Sequence, residues 1–156
     1  MSTFPASAPR LLHCWDAHVD IAPTQANGPG PFGNRNVVPI VGGRFAGQVA
    51  PETDEPIEFR GAVLPGGFDL QRERADGCKE LEAIYHMQTE DGVTVEIRNL
   101  ALLTYDAAGK LHYARCRIFV EAPQGRMNWL NERVFGGTLE VVRPQEQVLI
   151  RSFVLV

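Results

Sequence analysis

The amino-acid sequence predicts an all-β fold, an antiparallel barrel of about eight or more strands with little helix. Apolar and polar residues alternate with a period of two in several segments, whereas no window of helical length repeats apolar residues about every 3.6 positions. The chain contains 15 glycines and 11 prolines, which divide these segments into short strands and turns. A length of 156 residues fits one barrel domain over residues 1–156, with residues 1–10 expected to be loosely ordered.

The first part of the chain predicts a half-buried strand followed by a loop. Over residues 11–21 the apolar side chains, among them Trp15 and Val19, share one face, and Cys14 lies on the opposite, polar face. Residues 27–34 (NGPGPFGN) consist of residues that favour turns. The sequence therefore predicts one strand and then an irregular connection.

The next strands are expected to be short and interrupted. Pro39 has no N–H to donate to a neighbouring strand, so the apolar run 37–41 is predicted to lie at an edge, a bulge or a bend. Strands over residues 45–50 and 57–64 are separated by an acidic turn that begins and ends with proline. Glycine and proline thus set the limits of each strand in this part of the chain.

The second half predicts a series of hairpins. A strand over residues 78–90 ends at Asp91-Gly92, a pair that favours a tight turn because glycine accepts a positive φ. The closing strand is apolar on both faces, which favours a barrel over a sandwich and predicts that a second subunit or another segment covers its outside; a homodimer is expected. Further strands are predicted over residues 93–105, 111–122, 133–143 and 147–156, with a short helical turn around Trp129.

Composition and charge exclude several classes of function. The formal net charge of −4 is spread along the chain without a basic block, which argues against nucleic acid as a partner. No apolar stretch is long enough for a membrane span and no leader pattern is present, so a cytoplasmic protein is expected. The three cysteines are widely spaced and no nucleotide-binding or nucleophile-elbow motif occurs, so no metal and no cofactor are predicted.

Several segments in a fixed order carry a resemblance to a known family. They are VPIVGGRFAG (38–47), GAVLPGGFD (61–69), Asp76-Gly77 followed by Ala83-Ile84-Tyr85, TEDG (89–92) and WLN (129–131). In combination they resemble the domain of unknown function 3237 family, small bacterial and fungal proteins without an assigned activity. The resemblance implies an antiparallel barrel similar to the allene oxide cyclase-like and lipocalin-like barrels, enclosing an apolar cavity.

Two positions depart from the pattern of that family. Leu70 stands where the family often has tryptophan, and Ile84 stands where arginine commonly precedes the tyrosine. If both positions face the cavity, the chain has lost an aromatic ring and a cation there. The departures therefore predict a ligand different from that of typical members, or a lost activity.

Asp69 and Tyr85 are the candidate catalytic residues. Asp69 follows two glycines, where a partly desolvated carboxylate could act as a general acid or base; alternatively it accepts hydrogen bonds from its own turn. Tyr85 matches the tyrosine of the family and could position a carbonyl or phenol, or it could be an ordinary core residue. Tyr85 and His86 are adjacent in a strand, so at most one of them faces the cavity, and Tyr85 on the apolar face is preferred.

Five further residues are candidates for substrate binding. Trp129 could form the floor of the cavity or close one end of the barrel, and Asn131 could hold a ligand oxygen or cap a turn. An inward Arg117 could bind an anionic group, although an exposed ion pair is the alternative. Glu82 and His86 line the cavity only if the polar face of their strand points inward.

The favoured function is a cofactor-independent enzyme that isomerises, cyclises, hydrates or eliminates a small apolar or aromatic oxygenated metabolite held in the barrel. The first alternative is a barrel that binds such a small molecule without chemistry. The second is a structural oligomer whose barrel is filled by its own side chains. Ligand-induced stabilisation distinguishes the last of these from the other two.

Overall fold

The computed structural model describes residues 7–156, and β-strands account for most of this part of the chain. The predicted all-β class is therefore confirmed. The ten strands found there are β1 (Leu11–Ile21), β2 (Gln25–Gly30), β3 (Gly33–Val49), β4 (Ile57–Val63), β5 (Gly67–Glu73), β6 (Lys79–Thr89), β7 (Thr94–Tyr105), β8 (Leu111–Glu121), β9 (Phe135–Arg143) and β10 (Gln147–Leu155). A short 3-10 helix, Asn128–Glu132, precedes β9 and includes the helical turn predicted around Trp129.

Antiparallel pairing closes the sheet into a barrel. Eight strands follow one another in the order β1, β10, β9, β8, β7, β6, β4 and β3, and β3 pairs with β1 to complete the ring. The other two strands extend members of this ring. β5 continues the line of β4 between β3 and β6, and β2 continues the line of β1 along β3. The predicted barrel of about eight or more strands is confirmed.

A bend crosses the barrel where β4 passes into β5. The connection of three residues between them includes Gly66, whose φ of +105° favours glycine. On the facing strand β3, the register with β1 shifts past Val41, which therefore forms a bulge. Pro39 lies two residues before this bulge, at the kind of irregularity that its missing N–H predicts.

Two of the strands are absent from the sequence prediction. The segment over residues 27–34 is not a loop, because β2 and the start of β3 form a hairpin there, with a register shift between Ala26 and Gly28 that absorbs one extra residue. β5 was not predicted because its inward residues Asp69, Gln71 and Glu73 are polar, so it lacks the usual apolar inner face. Pairing with β3 stabilises both strands despite their weak local preference.

The beginning of the chain also differs from expectation at one side chain. The register of β1 with β10 shifts between His13 and Trp15, and this bulge turns both Cys14 and Trp15 inward. Cys14 is therefore buried and does not lie on the polar face predicted for it. Residues 1–6 lie outside the described part of the chain, and Arg10 exchanges two backbone hydrogen bonds with Val156.

Aromatic side chains fill one end of the barrel. Trp15 packs edge-on against Phe59 at a ring-centroid distance of 5.4 Å, and Phe45 lies 4.7 Å from Phe59. Phe135 contacts both Trp15 and Trp129, so the 3-10 helix is joined to this cluster. We call this end the packed half.

The other end of the barrel is lined by smaller aliphatic residues and remains open. The β5–β6, β7–β8 and β9–β10 turns lie around its mouth. We call this end the hollow half. Within residues 7–156, no helix has the length and apolar character needed to cross a bilayer.

Candidate functional site

A cavity of about 340 Å³ occupies the hollow half of the barrel. Its wall is mainly apolar because the inward positions of β1, β6, β7, β9 and β10 carry aliphatic side chains. These are Val19, Ile21, Leu81, Ala83, Ala101, Leu103, Leu139, Val141, Val148 and Ile150. A cavity of this size and polarity suits a small, largely apolar molecule.

The polar groups of the cavity are concentrated on one side. β5 contributes Asp69 and Gln71, β7 contributes Asn99, and Lys79 at the start of β6 lies near the mouth. Asp69 and Asn99 belong to one cross-strand row in which Ala83 stands between them. Because alanine is short, the two polar side chains face the same space, with their backbones about 10 Å apart at two strand spacings.

Asp69 has the environment of a perturbed acid. Its side chain is only 8% exposed, and its Oδ2 accepts a 2.9 Å hydrogen bond from Nε2 of Gln71. Its Oδ1 is buried and has no hydrogen-bond partner among the described residues. Burial raises the pKa of Asp69 to about 6, while the Gln71 hydrogen bond and the charge of Lys79 oppose the rise. The carboxyl group can therefore exchange a proton close to neutral pH.

Asn99 provides a second unsatisfied acceptor. Its side chain is 4% exposed, and its Oδ1 is buried without a hydrogen-bond partner in the described part of the chain. Buried acceptors without partners are costly, and proteins usually satisfy them with a ligand or water. Asp69 Oδ1 and Asn99 Oδ1 together fit a ligand that brings a hydroxyl or N–H donor into the cavity.

Tyr85 also lies on the cavity wall, as its position on the apolar face of β6 predicts. It is fully buried, and burial raises its pKa above the ordinary tyrosine value, so the phenol stays neutral at physiological pH. Gly67 makes room for this ring. A Cβ atom at Gly67 would lie 2.7 Å from Cβ of Tyr85 and 2.6 Å from the Ile84 carbonyl oxygen, closer than atoms can pack.

The cavity is not lined by Glu82, His86 or Arg117. All three side chains are exposed on the outer face of the sheet, because β6 and β8 direct their apolar residues inward. His86 Nε2 lies 3.5 Å from Glu96 Oε2, at an exposed ion pair. The structure therefore does not bring these three residues together with Asp69, and a direct contact with a ligand in the cavity is not available to them.

Trp129 and Asn131 lie at the opposite end of the barrel from the mouth of the cavity. Trp129 Nε1 donates a 2.7 Å hydrogen bond to Glu52, and its ring packs against Phe135 in the packed half. Asn131 accepts a hydrogen bond from the backbone N–H of Ala122 and donates one to its carbonyl oxygen, at 2.8 and 2.9 Å. These contacts attach the 3-10 helix to the end of β8, and neither residue lines the cavity.

The two departures from the family pattern lie outside the cavity as well. Leu70 is 44% exposed on the outer face of β5, and Ile84 is its neighbour on the outer face of β6. Neither residue lines this cavity, because residues on either side of Asp69 and Tyr85 point away from the interior. Leu70 instead lines, with Glu82 and Arg117, a separate groove of about 340 Å³ on the outer face. Whatever these two positions change, they change it on the outer surface.

Sequence reasoning missed Gln71, Asn99 and Lys79. Asn99 left a signal in the sequence, since it is the single polar residue between Ile97 and Ala101 on the otherwise apolar inner face of β7. Gln71 could not be recognised without the assignment of β5 as a strand. Lys79 is the first residue of a strand after a turn. A lysine at such a position is ordinarily solvated, so the sequence gives no indication that it lines a cavity. Among residues 7–156, no group of His, Cys, Asp and Glu side chains is arranged to hold a metal ion.

Sequence comparison relates this chain to proteins that have no assigned activity. A family model described as "Protein of unknown function (DUF3237)" matches residues 9–155. A UPF0311 protein of Rhodopseudomonas palustris is 32% identical over 130 residues, 76% of this chain and 78% of that protein. Another UPF0311 protein, from Clostridium acetobutylicum, is 38% identical over 72 residues, a match that covers 46% of this chain and 40% of that relative.

Solved structures share the barrel. A Clostridium acetobutylicum protein of unknown function superimposes with a TM-score of 0.82 at 24% identity, covering 94% of this chain and 99% of that one. A protein from Penicillium herquei, described only as an enzyme, gives a TM-score of 0.72 at 20% identity and full coverage of both chains. At these identities the likeness establishes the fold alone.

Proposed function

The chain belongs to the family described as "Protein of unknown function (DUF3237)", to which no activity is assigned, and we therefore propose a function for this chain from the residues of its cavity. The protein is a cofactor-independent enzyme that binds a small apolar or aromatic oxygenated metabolite in the hollow half. Asp69 is its general acid or base for an isomerisation, cyclisation, hydration or elimination.

One observation carries this proposal: a buried carboxyl group stands with one oxygen unpartnered in a cavity that is otherwise mostly apolar. Leaving a buried acceptor unsatisfied costs about 1–3 kcal/mol, so such an arrangement is rarely kept for stability. A pKa of about 6 means that Asp69 is mainly ionised at pH 7, with a minor protonated fraction. Both forms are accessible, which is the condition for efficient proton transfer near neutral pH.

The remaining cavity residues orient the substrate. Asn99 Oδ1 is placed to accept a hydrogen bond from a substrate hydroxyl, and the Tyr85 phenol offers a neutral donor for a carbonyl or ether oxygen. Gln71 holds Asp69 by Oδ2 and leaves Oδ1 directed at the ligand. The aliphatic wall on the other strands excludes water and confines the substrate, which raises the effectiveness of a single acid or base.

The alternative is a small-molecule-binding barrel without chemistry. The same unpartnered acceptors favour ligand binding whether or not a reaction follows, so this alternative keeps the ligand class and removes the catalytic role of Asp69. A barrel filled by its own side chains is disfavoured by the cavity of about 340 Å³. That the Penicillium herquei barrel is described as an enzyme supports the catalytic form of the proposal.

The compartment we expect is the cytoplasm, where thiols stay reduced. Cys14, Cys78 and Cys116 are all free in the structure. Burial raises the pKa of the Cys116 thiol to about 11 and that of Cys14 further, so neither is a reactive thiolate at neutral pH. The proposed chemistry therefore uses oxygen and nitrogen groups and not a cysteine nucleophile.

The test begins with native mass spectrometry of the purified protein, followed by denaturing extraction of any bound molecule. The extracted compound is then incubated with the wild-type protein and with Asp69→Asn. We expect Asp69→Asn to lower turnover by about 100-fold or more while ligand affinity changes only a few-fold. The matched control is Glu140→Gln, an exposed carboxylate beside cavity-lining Leu139 that points outward.

Product formation by wild-type protein and Glu140→Gln but not by Asp69→Asn supports the enzyme. Binding of the compound without product in any of the three proteins supports the non-catalytic barrel. Equal turnover by wild-type protein and Asp69→Asn contradicts the assignment of Asp69.

A further inference from the structure

The outer face of β6, β7 and β8 carries an ordered pattern of charge and apolar groups that the cavity does not use. Strand β6 directs Glu80, Glu82, Ile84 and His86 outward, and β8 directs Arg115, Arg117, Phe119 and Glu121 outward. Cross-strand pairing places these residues in four rows, each with one residue of β7 in the middle. The middle residues are Leu102, Leu100, Arg98 and Glu96.

In every row the β6 residue and the β8 residue are complementary. Glu82 stands in one row with Arg117, and the two are separated by Leu100 and by two strand spacings, about 10 Å. At that separation they do not pair within the monomer. Neither forms an ion pair with another described residue, whereas the neighbouring Glu80 is bonded to Arg74.

A two-fold axis that lies above the sheet and runs along β7 exchanges the β6 and β8 sides. We propose that this face is the contact between two copies of the chain, related by that axis. The rotation places Glu82 of one copy against Arg117 of the other, and Ile84 against Phe119. Leu100 of each copy meets its counterpart on the axis, as an isologous contact requires.

The remaining rows follow the same rule. Glu80 faces Arg115 of the partner subunit, and His86 faces Glu121 of the partner subunit. No row therefore places like charges of β6 and β8 opposite each other. The same rotation places Arg98 and Glu96 of β7 opposite their own counterparts, and within each chain both side chains lean away from the axis. Arg98 stacks on Phe119 at 5.1 Å, and Glu96 lies 3.5 Å from His86.

Exposed apolar groups flank the rows and extend the contact. Phe68 and Leu70 on the outer face of β5 are 39% and 44% exposed, and Phe119 is 50% exposed. The inner face of β5 is polar and its outer face carries Phe68 and Leu70 before Arg72, so its apolar residues lie on the opposite face from those of an ordinary barrel strand. The same rotation places Leu70 of one copy opposite Gly136 of the other copy, on the far side of β8. Gly136 has no side chain that would obstruct Leu70.

The closing strand is a weaker candidate for this role, although its two apolar faces are what predict a dimer from the sequence. Leu149 on its outer side is already 7% exposed in the single chain, and Phe153 packs against His13 at 5.5 Å. Its outward groups are thus partly covered by the chain itself. The β6–β8 face keeps its apolar and charged groups available to a partner.

A two-fold axis perpendicular to the strands that passes between the rows of Glu82 and Ile84 is disfavoured by the same pattern. That rotation pairs each strand with itself, and it places Glu82 against Ile84 and Arg117 against Phe119. Glu82 would then lose water without gaining a cation, which is unfavourable. The position of Leu100 also differs, because it would meet Arg98 and not its own counterpart.

Charge reversal tests the pairing of Glu82 with Arg117. Sedimentation velocity is measured for wild-type protein, Glu82→Lys, Arg117→Glu and the double variant, with Glu55→Lys in the exposed β3–β4 turn as the matched charge control. We expect a wild-type dimer, a dissociation constant about tenfold or more higher in each single variant, and recovery to within about threefold in the double variant. Glu55→Lys is expected to remain dimeric.

Cross-linking tests the direction of the axis. In a Cys78→Ser background, Leu100→Cys is expected to give a disulfide-linked dimer on mild oxidation, whereas Glu58→Cys on β4 is not. A monomeric wild-type protein, single reversals without effect, a double variant that does not recover, or a Leu100→Cys protein that does not cross-link overturns the proposal.

Discussion

The packed and hollow halves of the barrel are built from the same strands, yet they differ in what fills them. In the packed half, Trp15, Phe45 and Phe59 meet at ring-centroid distances of 4.7–5.4 Å and leave no room for a ligand. In the hollow half, the corresponding inward positions carry Val19, Ala83 and similar residues around about 340 Å³ of space. Side-chain volume, and not the alternation of the strands, determines where the barrel is open.

The two halves also differ in how their polar groups are satisfied. At the packed end, Asn131 makes hydrogen bonds to both backbone groups of Ala122, and Trp129 donates to Glu52. In the hollow half, Asp69 and Asn99 each retain a buried oxygen without a partner. The buried Ser152 Oγ beside Trp15 also lacks a partner, so a missing hydrogen bond does not by itself mark a ligand site. Asp69 and Asn99 differ from Ser152 because they line the cavity, where a ligand can reach them.

Truncation of aromatic and aliphatic side chains gives the largest expected difference between the halves. Phe59→Ala leaves a closed void between Trp15 and Phe45 and is expected to lower the free energy of unfolding by about 3–5 kcal/mol. Leu139→Ala enlarges a cavity that is already open and is expected to cost about 1 kcal/mol, mainly the lost burial of the side chain. Urea denaturation of both variants measures the difference.

Equal losses in Phe59→Ala and Leu139→Ala would contradict this division of the barrel. The control for refolding is the slope of the unfolding free energy against urea concentration, which stays that of the wild-type protein if only stability has changed.

The pH dependence of stability is the second expected effect. The pKa of Asp69 is raised from 3.8 to about 6 in the folded chain, so the folded state binds its proton more tightly than the unfolded state does. The contribution of Asp69 is therefore most favourable below about pH 4 and declines as the pH rises through about 6. At about 1.4 kcal/mol per pKa unit, the loss is about 3 kcal/mol.

Asp69→Asn removes this titration, so we expect wild-type protein to lose about 2 kcal/mol relative to Asp69→Asn between pH 4 and pH 7. Urea unfolding of both proteins across that interval provides the measurement. Parallel curves for the two proteins would show that the Asp69 carboxyl is not perturbed.

Removal of the Asn131 side chain is expected to have the smallest effect. It tests whether a polar residue of the packed half contributes to stability without contributing to ligand binding. Asn131→Ala loses the two hydrogen bonds to Ala122 and is expected to lower stability by about 1–2 kcal/mol. Because Asn131 does not line the cavity, affinity for a cavity ligand stays within about twofold of wild type. A large loss of ligand affinity at unchanged stability would show that Asn131 belongs to the binding site, and would contradict this prediction.

The sequence was sufficient for most of the fold because period-two alternation marks strands whose inner face is apolar. It predicted β1 and β6–β10 closely, and it placed an irregularity beside Pro39. It failed at β5, where Asp69 and Gln71 reverse the usual pattern, and at β2, whose turn residues are held in a hairpin by pairing with β3. In both strands the tertiary contacts outweigh local preference.

For the candidate site, the sequence identified residues but not the side of the sheet on which each would lie. Tyr85 and Asp69 could be placed in the cavity because one alternates with apolar neighbours and the other follows two glycines. Trp129 and Asn131 could not be placed in this way, because they lie in a short helix. The alternation of the strands does not show at which end of the barrel that helix lies. The partner of Asp69, Gln71, became visible only through the structure of β5.

The most direct measurement of the central claim is isothermal titration of the protein with 1-naphthol and with naphthalene. These probes share an apolar ring system and differ in a single hydroxyl donor. We expect 1-naphthol to bind about tenfold more tightly, because its hydroxyl satisfies the unpartnered Oδ1 of Asp69, and we expect the preference to shrink in Asp69→Leu. Equal affinities in wild-type protein, or a preference that survives in full in Asp69→Leu, would contradict the account.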